Sequence, residues 1–317
     1  MRKIFDNAAR HLDALVRPGE VYLASFRGET SDFARFNRSA LRQAGSVREM
    51  GLSLDLIEGR RHAEVHLVLT GDEAEDARRL ERAVADAREG RKDSDEDPHL
   101  LFNTDVHSGE RHRKGKLPKR DAAIEAVLDA GKGRDLVGIY AAGTMASGFA
   151  NSLGQRNWDE IESFNLDWSF YLAGDKAVKA EYAGFDWSDA ALAHAAEAAA
   201  RQLEPLSRPP RALPPGEYRA YLAPAAVKEL LGMLSWGGFG LAAHRTRATV
   251  FLRMIEGGAA LNSKVTLTEA TAEGACPAFG REGFVRPPRV ELVREGRYRD
   301  CLVSPRSGVE YGVANNG

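Results

Sequence analysis

LPPGEYRAYLAPAAVKELLGMLSWGGFG, residues 213–240, is the stretch on which the reading of this chain turns. Pro209, Pro210, Pro214 and Pro215 remove backbone donors and fix φ, so regular structure stops before them and restarts after them. Tyr218 to Leu222 reads as a strand. Pro224 suits the first position of a helix, where a missing N–H costs nothing. Val227, Leu230, Leu231 and Leu234 then share one stripe, which predicts a buried helix face. Gly237, Gly238 and Gly240 close the segment. The prolines are the clearest boundary in the chain. They predict an N-terminal α+β domain over 1–130, a β-rich middle segment with an alanine-rich helix over 131–208, and a C-terminal domain beginning at 209 and running to 317.

Outward from this boundary, helix and strand signals alternate. Ile4, Phe5, Ala8, Leu12 and Leu15 mark an amphipathic helix. Val21–Phe26 and Ser31–Asn37 read as two strands. Leu52–Ile57, a turn at Glu58-Gly59, and His62–Leu69 read as a hairpin. Asp72–Glu89 is a charged helix stopped by Gly90, and residues 91–120 form a polar loop. A helix after Pro118 ends at Gly131. Strands follow at Leu136–Tyr140, Gly148–Gly154 and Trp168–Leu172, closing near Tyr182. Ser188 caps a helix from Asp189 to Leu203 that Pro205 terminates. Past the boundary, short strands are expected at Lys264–Leu267, Val290–Val293 and Arg299–Val303, and Glu310–Gly317 reads as a turn with no closing element. Strands mixed with segregated helices predict an α+β fold of mixed or antiparallel sheets.

Composition narrows the classes of function. The 317 residues carry a net charge of −2, which gives no global attraction to nucleic acid or to acidic membranes. Two cysteines, Cys276 and Cys301, make no disulfide framework, so a cytoplasmic location is expected. Asp6, Arg10 and Asp13 interrupt the first helix, and no apolar run reaches the length of a membrane span.

Several stretches, in order, resemble one family: SDFARFN at 31–37, the Gly45-Ser46 turn, FANSLG at 149–154, PGEY at 215–218, and residues 304–317. The chain resembles the TldD/PmbA family of bacterial and archaeal peptidase-like proteins. In that family's zinc-dependent members a helix carries HExxxH at the position of Lys228-Glu229-Leu230-Leu231-Gly232-Met233. Zinc takes imidazole, thiolate or carboxylate donors. Lys228 offers an ammonium with no lone pair, and Met233 a soft thioether. Glu229 remains, with no metal-bound water to activate. The resemblance therefore implies the TldE/PmbA-like branch, with no catalytic residue and no metal or cofactor of its own. It further implies a homologous TldD-type subunit that holds the zinc, peptide substrates, and a hetero-oligomer. The family's C-terminal domain continues past this motif, so the sequence reads as truncated.

Other candidates stand on the residues alone. His62, Glu64 and His66 share one strand face, a geometry open to a metal or to plain solvation. His107 and His112 flank a basic loop that suits phosphate contact or solvation. Gly238, His244 and Arg245 follow the glycine-rich turn and are weak candidates for binding a peptide carboxylate. Cys276 and Cys301 have no histidine near them in sequence. Two other functions stay open: an active zinc metallopeptidase with ligands such as His244 from elsewhere, and a stand-alone peptide-binding protein.

Overall fold

The computed structural model describes residues 1–316. In chain order it contains α1 (Arg2–Leu15), β1 (Glu20–Asn37), β2 (Ala40–Glu58), β3 (Arg61–Val68), α2 (Glu73–Lys92), β4 (Gly109–Arg113) and α3 (Arg120–Ala130). Then come β5 (Asp135–Asn151), β6 (Arg156–Ala173), β7 (Lys176–Gly184), α4 (Asp189–Leu206) and α5 (Pro224–Leu234). The remainder is α6 (Leu241–Arg245), α7 (Leu252–Ile255), β8 (Leu267–Glu269), β9 (Val290–Arg294), β10 (Arg297–Tyr298) and α8 (Pro305–Tyr311). The class is α+β, as the sequence predicts.

One sheet dominates, in the order β3-β2-β1-β5-β6. The far edge of β6 is shared: β4 pairs parallel with Asn157–Ile161, and β7 pairs antiparallel with Phe164–Ala173. Residues on both sides of position 130 build this sheet, because β1 and β5 pair continuously from Leu23↔Asn151 to Phe36↔Gly138.

The alternation of strand side chains divides its faces. On β1, Tyr22, Ala24 and Phe26 pack beneath α1 and α2 around Leu12, Leu80 and Val84. Farther along the same face, Ala34, Phe36, Tyr140, Trp168 and Phe170 pack beneath α3 and α4. Phe5, Phe26 and Trp158 form an aromatic cluster with centroids 5.5–5.7 Å apart. On the opposite face Leu23, Ile57 and Phe149 receive Phe279 from the C-terminal part, which thus folds back onto the sheet.

Local departures from the sequence reading have physical causes. Val21–Phe26 and Ser31–Asn37 are halves of one 18-residue strand. Gly45-Ser46 is no turn; it lies within β2 opposite Phe33 and Asp32. Glycine is needed there because a Cβ would stand 2.8 Å from the Phe33 ring. The reversal falls instead at Arg38 and Ser39, both with positive φ. Ser39 Oγ fixes it by donating to the carbonyl of Arg134 at 2.5 Å and accepting from Leu136 N at 3.0 Å. Gly90 does not stop α2. The helix runs on to Lys92, since buried Arg91 reaches Glu20 at 3.1 Å and Glu58 at 2.7 Å. Pro205 lies in the last turn of α4, which runs to Leu206.

Residues 91–120 are more than a loop, because β4 lies among them. Arg111 Nε is 2.7 Å from Asp159, a buried carboxylate. Its guanidinium also donates to the carbonyls of Thr271 at 3.1 Å and Cys276 at 2.6 Å. The stretch therefore clamps the C-terminal part to the sheet.

That part holds the smaller sheet β10-β9-β8. Tyr218–Leu222 forms no strand; no partner strand lies alongside it, and Tyr221 is exposed. The strand expected at Lys264–Leu267 begins only at Leu267, and Arg299–Val303 contributes a single bridge, Leu302 to Gly240. The predicted terminal turn is preceded by a helix, α8. Ser304 caps it by accepting from Ser307 N, Pro305 opens it, and Gly312 closes it at φ +65°.

Candidate functional site

Pro224 starts α5 where the sequence places it, but the stripe is not buried. No residue of the helix is buried, and Leu230 and Met233 are 46% and 71% exposed. Trp236, just beyond, is 90% exposed. An amphipathic helix forms because its apolar stripe has a surface to cover; here Leu231 and Leu234 are half-buried, while Val227 and Leu230 stay exposed. The polar side of α5 does hold a partner. Lys228 Nζ donates to both carboxylate oxygens of Glu181 on β7, at 2.9 and 2.8 Å, and this contact raises the ammonium's affinity for its proton.

The donor set at this helix does not fit zinc. Lys228 is a protonated amine already engaged by Glu181, Met233 is a thioether turned to solvent, and Glu229 is one carboxylate. Among the described residues no three His, Cys, Asp or Glu side chains converge in a geometry that would hold a metal ion.

Gly238 and His244 are brought together, and each occupies the other. His244 Nε2–H donates to the Gly238 carbonyl at 2.7 Å, and Thr249 Oγ1 donates to the same oxygen at 2.8 Å. The Tyr298 hydroxyl donates to His244 Nδ1 at 3.3 Å, with the rings edge-to-face. Both imidazole nitrogens are thus engaged. A metal ligand needs one lone pair free, so His244 is a brace between α6 and β10. Gly238 itself admits no side chain, since a Cβ would meet the Leu234 carbonyl at 2.0 Å. Arg245 is exposed and forms no ion pair among the described residues.

Cys301 is buried beside Leu241 and Val303, and burial pushes its thiol up. Cys276 is exposed, with Arg286 Nη1 2.7 Å from its sulfur. His107 and His112 both face solvent, and His112 stands 3.5 Å from Glu110.

Of the row His62, Glu64 and His66, the last two stay exposed as strand alternation implies, and only His62 is half-buried, beside the returning C-terminal part. His62 Nδ1–H donates to Asp55 at 3.0 Å, Arg281 pairs with Glu64 at 2.8 Å, and His66 meets Ser53 at 2.7 Å. Asp97, Glu282 and Arg306 complete this cleft. Asp55 comes from the other strand of the hairpin, opposite Glu64. Asp97, Arg281, Glu282 and Arg306 arrive from distant sequence, and no local signal announces them.

With this geometry in place, solved structures supply the comparison. TldE from Thermococcus kodakarensis superposes with a TM-score of 0.70 at 12% identity, over 99% of this chain and 73% of that one. The chain has the TldE fold. A protein from Thermotoga maritima named as a candidate modulator of a DNA gyrase gives 0.75 at 12% identity, over 99% of this chain and 74% of its own. A similarly named protein from Bacteroides thetaiotaomicron gives 0.71 at 14%, with the same shares. No family model matches the chain, and no curated protein matches it. The TldE fold accounts for nearly the whole chain, so the main sheet, α5 and α6 all lie within it.

Proposed function

We propose that this chain is a TldE-like, non-catalytic subunit of a cytoplasmic metallopeptidase complex of the TldD/PmbA family. It binds no zinc of its own, and a homologous TldD-type subunit supplies the metal. α5 carries this reading. At the position that the resemblance aligns with the two histidines of the zinc-dependent members it presents Lys228 and Met233, and Val227 and Leu230 of its apolar stripe stand exposed. Leaving a leucine-sized side chain in water forgoes about 1.5–3 kcal/mol relative to burial. A partner that covers Val227, Leu230, Met233 and Trp236 recovers that energy, which favours assembly. The chain's own contribution is chamber wall and docking of an extended peptide substrate. β3 and β7 are sheet edges with an unpaired side among the described residues, as strand addition requires.

Co-expression with a TldD-type zinc subunit tests the reading. The two chains purify together as a complex, and Leu230→Lys breaks it while leaving this chain folded. Failure to associate with any TldD-type subunit encoded beside it overturns the proposal.

A further inference from the structure

A group of eight ionisable side chains lies away from α5 and α6. It lines a cleft of about 160 Å³ between the β2–β3 hairpin and the returning C-terminal part. Asp55, His62 and Glu64 form the sheet wall, Asp97 and His99 come from the loop after α2, and Arg281, Glu282 and Arg306 close the far side. We infer that this cleft binds a protonated primary amine, the amino terminus of a peptide or the tip of a lysine side chain.

The charge inventory sets the sign of the ligand. Four carboxylates face two guanidinium groups. Arg281 is 2.8 Å from Glu64, and Arg306 is 2.5 Å from Asp97. Asp55 has no guanidinium in contact and accepts only from His62. Glu282 has a looser share of Arg281, at 3.6 Å. An anion placed here would meet uncompensated negative charge. A cation would relieve it, most strongly where water is scarce; the Asp55 side chain keeps only 14% of its exposure. Burial raises both the Asp55 and the Glu282 carboxyl, as expected of acids that lack a full counter-charge.

The kind of cation follows from the spread of the donors. A divalent metal needs several ligands converging within about 2–2.6 Å of one point, and no such group occurs among the described residues. An ammonium asks for less: three N–H donors, each reaching an acceptor about 2.7–2.9 Å away. A third acceptor is present besides Asp55 and Glu282. His99 Nδ1 is buried and has no hydrogen-bond partner among the described residues. In the Nε2–H tautomer it offers a lone pair. The volume suits an amine on a short stem and excludes a folded element. This assignment does not rest on the subunit reading, since every group named belongs to this chain.

Calorimetric titration of the full chain at pH 7.5 tests it, with Gly-Gly-Gly amide, its N-acetylated form, and Nα-acetyl-lysine amide as probes. Saturable binding of either free amine, at least tenfold tighter than the acetylated tripeptide, is the expected result. The tripeptide alone assigns an amino terminus, the lysine derivative alone assigns a side chain, and binding of both supports the shared chemistry. Asp55→Asn with Glu282→Gln abolishes the binding, and each single variant weakens it where the double variant fails to fold. Affinity also falls as the pH is lowered and these carboxyls take up protons. Equal binding of the acetylated and free tripeptides, or no saturable binding of either amine, overturns the inference.

Discussion

Gln155 Nε2 donates to the carbonyl of Gly283 at 2.7 Å, fastening the returning C-terminal part to the turn between β5 and β6. Gln155 is wholly buried, and Asn103 Nδ2 reaches both groups, Gln155 Oε1 at 3.1 Å and the Gly283 carbonyl at 3.2 Å. Gly283 sits at φ +83°, where a Cβ would stand 2.8 Å from the Phe149 ring. Gln155→Leu leaves Asn157 Oδ1 without its donor and loosens this junction, costing about 1–3 kcal/mol. Gly283→Ala costs at least as much, because it adds left-handed strain to overpacking, about 1–3 kcal/mol. Urea unfolding measures both. Limited proteolysis shows whether residues 276–306 are released first.

Glu20 anchors the end of α2. It accepts from Arg88 at 2.8 and 2.9 Å, from the Arg17 amide at 3.0 Å and from Arg91 at 3.1 Å. The Arg88 contact leads in holding its carboxyl down to about 2. A carboxyl lower in the folded than the unfolded chain stabilises fully above the unfolded value, about 4.3, and loses that contribution as pH falls toward the folded one. The shift corresponds to roughly 3 kcal/mol. Glu20→Gln therefore lowers the unfolding midpoint markedly at pH 7, and the gap between variant and parent narrows by pH 3. A gap that is constant from pH 7 to pH 3 refutes this account of the pair.

The exposed apolar residues of α5 predict surface behaviour. Leu230→Lys and Met233→Lys change the stability of the isolated chain by no more than about 0.5 kcal/mol, as for other exposed positions. Burying the same stripe at an interface makes those substitutions disruptive there. Trp236 reports on it directly: its fluorescence is that of a solvated indole in the isolated chain and shifts to shorter wavelength when a TldD-type subunit binds. An unchanged emission on complex formation places the interface elsewhere.

Much of this was legible in the sequence, and the reasons differ by element. Period-2 alternation at Leu52–Ile57 and His62–Leu69 marks both hairpin strands, but the turn falls at Gly59 and Arg60 and not at Glu58-Gly59, and that shift brings Asp55 opposite Glu64. Ser188 and Pro224 mark helix starts by their chemistry. The Ser304, Pro305 and Gly312 signals for α8 are equally local, and the helix they bound runs into the start of the expected turn at Glu310–Gly317. What stayed hidden was long-range. The single strand from Glu20 to Asn37 passes through Gly28, which reads as a break until β5 is seen beside it. The stripe on α5 predicts a buried face, yet none of its residues is buried, because periodicity reports an apolar face and not what covers it. The placing of Lys228 and Met233 at zinc-ligand positions rests on the resemblance to the family; side-chain chemistry adds only that an ammonium and a thioether are poor zinc donors. The engagement of both His244 nitrogens depends on Gly238 and on Tyr298, the latter 54 residues away. The cleft at Asp55 depends on Arg281 and Arg306, which only the returning C-terminal part delivers.

The central claim is that this chain contributes fold and surface but no metal chemistry. Metal analysis of the purified chain, paired with hydrolysis of an unfolded peptide by the chain alone and with a TldD-type subunit, tests it most directly. The account predicts less than stoichiometric zinc and no hydrolysis by the chain alone, with zinc-dependent hydrolysis appearing when the partner is added. One bound zinc per chain together with hydrolysis in the partner's absence contradicts it.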